Sequence, residues 1–135
     1  MIVADTNLVA YLLIDGERTG AARLVWQKDP DWRLPPLWRS EFLNVLATSA
    51  RAGVLSANQA IQAWRAAVGL LGRCEQEPGG ETVLQTAMQY GISAYDAQFV
   101  AVAVQLEIPL VSGDGKLCSS CKDIAVSMES FAGLE

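Results

Sequence analysis

Short apolar runs without polar interruption alternate with longer amphipathic stretches along the chain. The runs at Ile2–Ala4, Ile108–Val111 and Ile124–Val126 are of this kind. A strand that is covered on both faces has no solvent side, so its residues are apolar throughout. Parallel strands need long crossover connections, which helices usually supply. The pattern therefore predicts an α/β fold with a mainly parallel sheet and helices on both faces.

The stretches between these runs carry helix signals. Ser56 and Ser93 stand where N-caps are expected, and Gly53 and Gly91 stand just past the ends of helices. The predicted helices are 8–13, 17–28, 37–53, 57–72, 81–90 and 94–106. The segment "WRLPP" is read as a further strand, "DIAVSM" is the segment that contains the last apolar run, and "RCEQEPGG" is a link that could hold a small edge strand.

The length and composition are typical of one domain over residues 1–135. Hydrophobic residues make up 51% of the chain and charged residues only 19%, which suggests that another chain covers part of its surface. No apolar run reaches the roughly 20 residues of a membrane-spanning helix. The sequence shows no signal peptide, so we expect a cytoplasmic protein that does not enter a membrane.

The absence of histidine excludes several kinds of chemistry. Ser-His-Asp and Cys-His arrangements cannot be built, and there is no histidine general base. Catalysis would have to use carboxylates, Lys, Tyr, Ser, Thr or a metal ion. The formal net charge of −5 also disfavours electrostatic binding to nucleic acid, unless a bound cation bridges to the phosphate.

The cysteines do not form a recognisable site. Cys118 and Cys121 have the spacing C-S-S-C, and Cys74 is the only other cysteine. A structural zinc site needs four ligands, and the chain has no histidine to complete one. A redox pair of this spacing normally opens a helix directly after a strand, whereas here a loop is expected before it. We read them as ordinary thiols and assign them no role.

Acidic residues stand at the joints of the predicted elements. Asp5 ends the first strand, Asp114 follows the strand "IPLVS", and Asp96 lies in the first turn of the preceding helix. Glu41 lies in the first turn of the helix after "WRLPP". In a parallel sheet the carboxyl ends of the strands share one edge, where the N-termini of connecting helices also lie. We therefore expect the four acids to converge there.

Each acid also has an ordinary structural explanation. Asp5 and Asp114 suit turns, Asp96 matches a capping box with Ser93, and Glu41 complements a helix dipole. As a group they repel one another and raise each other's pKa values. A hard divalent cation offsets that repulsion, and Mg²⁺ or Mn²⁺ can polarise a phosphoryl oxygen and activate water.

The segments that carry these acids resemble a PIN domain, and most closely the small toxin nucleases of VapC type. The segments are "VADTN", "RSEFLNV", "SAYDAQFVAVA" and "LVSGDGKL", in this order over nearly the whole chain. The resemblance implies a three-layer α/β/α sandwich with a mainly parallel sheet of about five strands. It further implies a metal-dependent endoribonuclease, a protein antitoxin that blocks the acidic site, and a homodimer.

The resemblance also implies a role for each site residue. Asp5 and Asp96 would be the main ligands of Mg²⁺ or Mn²⁺, and Asp114 would complete the metal site. Glu41 would orient or deprotonate the attacking water. Asn7 and Ser112 would support Asp5 and Asp114 through hydrogen bonds.

Other readings of the acids fit less well. A phosphoaspartate receiver domain expects two acids closing the first strand, but Asp5 is followed by Thr6. A haloacid-dehalogenase-type phosphatase expects a second aspartate where this chain has Asn7. A catalytically silent PIN-like module that binds RNA or protein stays open as the main alternative, and a cleavage assay separates it from a nuclease.

Overall fold

Four short parallel strands form the centre of the molecule. The computed structural model describes residues 1–135, and the strands are β1 (Ile2–Ala4), β2 (Trp32–Arg33), β3 (Leu110–Ser112) and β4 (Ala125–Ser127). Their order across the sheet is β2-β1-β3-β4, and every neighbouring pair is parallel. The expected parallel α/β sheet is confirmed. Because β1 and β3 are the inner strands, the residues that follow them lie at the middle of one edge.

Helices cover both faces of this sheet. They are α1 (Thr6–Leu13), α2 (Thr19–Lys28), α3 (Trp38–Arg51), α4 (Ala57–Leu71), α5 (Gly80–Tyr90), α6 (Ala94–Leu106), α7 (Gly115–Ser120) and α8 (Met128–Phe131). Helices α1, α2 and α8 form one layer, with α3 and α4 packed against α1. Helix α6 packs on β1 and β3 from the other side, with α5 behind it and α7 against β3 and β4. The result is the expected three-layer α/β/α arrangement.

The helix boundaries follow their capping residues. Ser56 and Gln59 form a complete capping box at the start of α4. Gly91 ends α5 with a φ of +64°, a left-handed conformation that glycine adopts without a side-chain clash. Gly53 follows α3 with a φ of +76°. No helix is both long and apolar enough to cross a membrane.

Two features differ from the sequence prediction. The expected turn at Asp114 continues directly into α7, so Cys118 lies in a helix and Cys121 closes it, rather than both trailing a loop. A helix of six residues is too short for its apolar period to be recognised. The possible edge strand in residues 73–80 is reduced to an isolated parallel bridge between Leu34 and Glu75.

The core holds the site-bearing ends of the strands in place. Every residue of β1 and β3 is buried, as the apolar runs predicted. Trp32, Trp38 and Phe42 are fully buried beside β1 and fix the start of α3, which carries Glu41. Burial of large aromatic side chains is among the strongest contributions to stability, so this end of α3 has little freedom to move.

Candidate active site

All four predicted acids line one cavity at the carboxyl edge of the sheet. This acidic cavity has a volume of about 70 Å³. Its lining residues are Asp5, Thr6, Asn7, Glu41, Asp96, Phe99, Asp114 and Leu117. The structure thus brings together side chains that are more than 100 positions apart in the sequence, because β1 and β3 are parallel neighbours.

Asp5 is the most buried of the acids and accepts hydrogen bonds from three partners. It is the N-cap of α1, where its Oδ1 accepts a hydrogen bond from the Leu8 N–H at 2.9 Å. The Gly113 N–H donates to the same oxygen at 3.4 Å, and the Ser112 hydroxyl donates to Oδ2 at 2.5 Å. These contacts hold the carboxylate at the junction of β1, α1 and the turn after β3.

Glu41 is oriented by a residue that the sequence reasoning missed. The Thr6 hydroxyl donates a hydrogen bond of 2.7 Å to Glu41 Oε1. Thr6 is buried at the first position of α1, directly after Asp5, and this adjacency was the only available signal. The bond leaves Glu41 Oε2 without a protein partner.

Asp96 and Asp114 differ in how far local structure uses them. The Asp96 N–H donates to Ser93 Oγ at 3.1 Å, but the Asp96 carboxylate accepts no hydrogen bond, so the capping box is only half formed. Asp114 is the N-cap of α7, and its Oδ1 accepts from the N–H groups of Lys116 and Leu117. Asp96 is therefore wholly available to a ligand, whereas Asp114 offers Oδ2.

The two residues expected to support the acids behave differently. Ser112 donates to Asp5 and accepts from the Asp114 N–H at 2.9 Å, so one hydroxyl connects two of the acids. Asn7 lines the cavity, but its exposed side chain makes no hydrogen bond with Asp5 or Asp114. The expected supporting bond from Asn7 is therefore absent, although its side chain lies at the cavity.

The turn that carries Asp114 is held by a contact network that the sequence did not reveal. Arg18 Nη1 donates to the Gly113 carbonyl at 2.9 Å and to the Tyr11 hydroxyl at 3.1 Å. Glu129 fixes the same guanidinium at 2.6 Å. A Cβ on Gly113 would lie 2.5 Å from the Tyr11 ring, so only glycine allows this close approach.

Burial and repulsion from neighbouring acids raise the pKa values of Asp5, Glu41 and Asp96. Burial raises the pKa of Asp5 to about 6, against the lowering effect of its hydrogen bonds, and the charge of Asp114 raises it further. Burial also raises the pKa of Asp96, with a contribution from Asp114. The pKa of Glu41 is raised by burial and by Asp96, against the hydrogen bond from Thr6. Ionised side chains in this cavity are therefore held at a cost to stability.

The oxygen atoms of this cavity suit a hard divalent cation. No group of three Asp, Glu or Cys side chains is already arranged as it would be around a metal ion. Mg²⁺ does not require such a group, because it commonly binds one or two carboxylates and keeps several waters. Asp96 and Asp114 provide unused oxygens beside a desolvated Asp5, so the residues fit the cation.

A family model and a solved structure each match nearly the whole chain. Residues 2–122 match a family model described as PIN domain. No curated protein matches the sequence. Among solved structures, the chain is similar to that of PAE2754 from Pyrobaculum aerophilum, with 22% sequence identity, a TM-score of 0.68 and coverage of 98% of this chain and 93% of that one. At this identity the likeness shows the fold alone.

The buried charge of Asp5 predicts a pH dependence of stability in the metal-free protein. The folded-state pKa of about 6 exceeds the ordinary value of 3.8, so the folded state holds this proton more tightly. The resulting stabilisation is complete below the ordinary value and is lost as the pH rises through 6, by roughly 3 kcal/mol. Asp5→Asn should remove this decline. Urea unfolding in EDTA at pH values from 3.8 to above 6 measures the free energy of unfolding of both proteins.

A second substitution separates the charge of Asp5 from its capping role. In Asp5→Asn the amide oxygen can still accept from Leu8 and Gly113, and the amide N–H can donate to Ser112. Asp5→Ala loses the cap, so it should be about 1 kcal/mol less stable than Asp5→Asn. At neutral pH Asp5→Asn should be at least as stable as the wild type. Equal destabilisation by both substitutions would mean that Asp5 is an ordinary structural cap.

Proposed function

The chain belongs to the PIN domain family, whose members are generally nucleases, and we propose that it is an endoribonuclease dependent on Mg²⁺ or Mn²⁺. The observation that carries the proposal is the acidic cavity, where four carboxylates meet at one sheet edge in a chain without histidine. Repulsion among these carboxylates disfavours the metal-free state, and hydrolysis of a phosphodiester needs a cation at such a site.

The lining of the cavity suggests the role of each residue. Asp5 and Asp96 would hold the cation, and Asp114 would complete the site through Oδ2, since its Oδ1 caps α7. When bound, the cation supplies Lewis-acid stabilisation of the charge that develops on the phosphate. Ser112 supports the proposal because its hydroxyl fixes the relative positions of Asp5 and Asp114.

Glu41 is suited to act on the attacking water. The hydrogen bond from Thr6 to Oε1 fixes the direction of the carboxylate and leaves Oε2 to accept a proton from water. The raised pKa of Glu41 strengthens it as a base relative to an exposed glutamate. We therefore propose that Glu41 orients or deprotonates the water through Oε2.

Cleavage assays test the proposal directly. The purified protein should cut RNA in Mg²⁺ or Mn²⁺ and stop in EDTA. Asp96→Asn should lose at least about 100-fold in activity, because it removes a metal-facing charge. Its stability should change by less than about 1 kcal/mol, because the Asp96 carboxylate accepts no hydrogen bond.

Glu81→Gln provides the matched control for Asp96→Asn. Glu81 is also an acid in the first turn of a helix, but it is exposed and lies outside the acidic cavity. Its substitution should leave cleavage unchanged. Binding of RNA without cleavage in any divalent cation would instead support the silent module, and cleavage that persists in EDTA after removal of contaminating nucleases would contradict the metal mechanism.

We extend the proposal to a toxin that is inhibited by a protein antitoxin. Two neighbouring cavities share Ile14 and Asp15 and form a groove along α1, α3 and α4. The groove contains Val54, which is 67% exposed, and it reaches Tyr11, which packs against Gly113 beside the acidic cavity. An apolar helix of an antitoxin lying in this groove would end next to the acids.

Growth measurements in bacteria test the toxin proposal. Expression of the chain should arrest growth, Asp5→Asn should abolish the arrest, and the product of an adjacent small open reading frame should relieve it. Val54→Asp should still arrest growth but resist relief, because a charge in the groove opposes an apolar partner. A chain that is harmless in a strain lacking the neighbouring gene would contradict the toxin role.

The homodimer and the cytoplasmic location stay predictions. The exposed side chains of Leu84 and Met88 stand one turn apart on α5, and an apolar pair of this kind is suited to self-association. Sedimentation equilibrium would give twice the chain mass of 14.5 kDa for the dimer, and Met88→Glu should restore the single mass.

A further inference from the structure

A second cavity adjoins the acidic cavity on the side of α7. This Lys116 cavity has a volume of about 220 Å³. Its lining residues are Gly91, Ile92, Ser93, Asp96, Asp114, Lys116, Leu117 and Ser120. It shares Asp96, Asp114 and Leu117 with the acidic cavity, so the two form one continuous depression. A molecule bound at the acids would therefore extend into the second cavity.

Lys116 is the only cationic side chain in the lining of either cavity. It is exposed and has no carboxylate within ion-pair distance, unlike Arg18 and Arg39, which pair with Glu129 and Glu75. The ammonium group therefore lies beside two of the acids but forms no salt bridge. An unpaired cation next to an acidic site is available to a negatively charged ligand.

The charge distribution restricts how RNA could approach this depression. The acids and the net charge of −5 repel a polyanion, so each phosphate that enters needs a positive partner. A cation held by the acids would neutralise the phosphate that is cleaved. Lys116 is the only cationic side chain of the depression that could neutralise a neighbouring phosphate.

We propose that the Lys116 cavity binds the nucleotide next to the scissile bond, with the Lys116 ammonium on its phosphate. This inference rests on the proposed ribonuclease function and names the substrate class as an unpaired RNA segment. A cavity of about 220 Å³ is too small to enclose a base pair within a helix, so it would take the phosphate and part of one unpaired nucleotide. Unpaired nucleotides are also those that proteins can separate and hold one at a time.

Lys116 has one competing role, which is to offset the charge of the acids. Its positive charge lowers the pKa of Asp96, against the larger effect of burial. A residue with only this role would alter cation binding but would make no contact with RNA. Salt dependence separates the two roles, because each phosphate contact releases counterions and contributes about 0.7 to the slope of log K against log salt for a single strand.

The experiment measures binding of a fluorescent single-stranded RNA oligonucleotide by anisotropy in Mn²⁺ at several salt concentrations. All proteins carry Asp5→Asn so that bound RNA stays intact. Lys116→Gln should make the slope of log K against log salt less steep by about 0.7, and Lys116→Arg should restore the original slope. Lys122→Gln is the matched control, since Lys122 is an exposed lysine of the same region that lines neither cavity. It should leave the slope unchanged.

A substrate series identifies the phosphate. Each phosphate of the oligonucleotide is replaced in turn by a neutral methylphosphonate. At one position adjacent to the cleavage site the replacement should weaken binding in the parent protein but not in Lys116→Gln, as expected for two groups that contact each other. An unchanged salt slope in Lys116→Gln, or equal losses at every position in both proteins, would overturn the inference.

These outcomes are independent of the proposed function. If the wild type cuts RNA and Lys116→Gln has an unchanged slope, the ribonuclease proposal stands and binding of RNA in the Lys116 cavity is contradicted. A Lys116-dependent slope in a wild-type protein that cuts no RNA would refute the ribonuclease and retain the cavity as an RNA-binding site. Tighter Mn²⁺ binding by Lys116→Gln with an unchanged slope, which removal of a positive charge beside the acids would cause, would assign Lys116 to the acids alone, against the proposal.

Discussion

The carboxylate of Asp5 is buried at the end of the central strand, and the geometry of the site depends on it. Three donors from different elements converge on this one group: the N–H of Leu8 in α1, the hydroxyl of Ser112 in β3 and the N–H of Gly113 in the following turn. These bonds connect β1, α1 and β3 at the sheet edge. Even so, burial raises the pKa of Asp5 to about 6, so the contacts do not fully compensate its desolvation.

The four acids differ in how far their carboxylates make structural hydrogen bonds in addition to their proposed functional roles. Asp5 and Asp114 each use one oxygen to cap a helix, and Glu41 uses one to accept from Thr6. Asp96 has no structural bond for its carboxylate, although its position in the first turn of α6 suggested a cap. A residue that stands at a capping position without capping is more informative about function than one that caps.

Topology explains why the acidic cavity could be anticipated from the sequence. Once Ile2–Ala4 and Leu110–Ser112 are recognised as parallel strands, Asp5 and Asp114 must follow them at the same edge. Asp96 lies in the first turn of α6, and the N-terminus of a helix that precedes a parallel strand lies at that edge. The side-chain contacts could not be anticipated in this way. Arg18 reaches Gly113 across 95 positions and Glu129 across 111, and no local pattern indicates such pairs. The same limit applies to Asn7, whose expected hydrogen bond depended on a side-chain direction that the sequence does not determine.

Calorimetric titration of the protein with Mn²⁺ tests most directly whether the cost of burying Asp5 is offset by a metal ion. Metal ligands must lose their protons, so at about pH 5.5, where much of Asp5 is protonated, binding should release a substantial fraction of one proton, and at about pH 7.5 close to none. Titrations in two buffers of different ionisation enthalpy give this number. The account predicts proton release that falls with pH in the wild type, and weaker binding without that component in Asp5→Asn. Mn²⁺ binding with equal affinity and equal proton release in both proteins would contradict it.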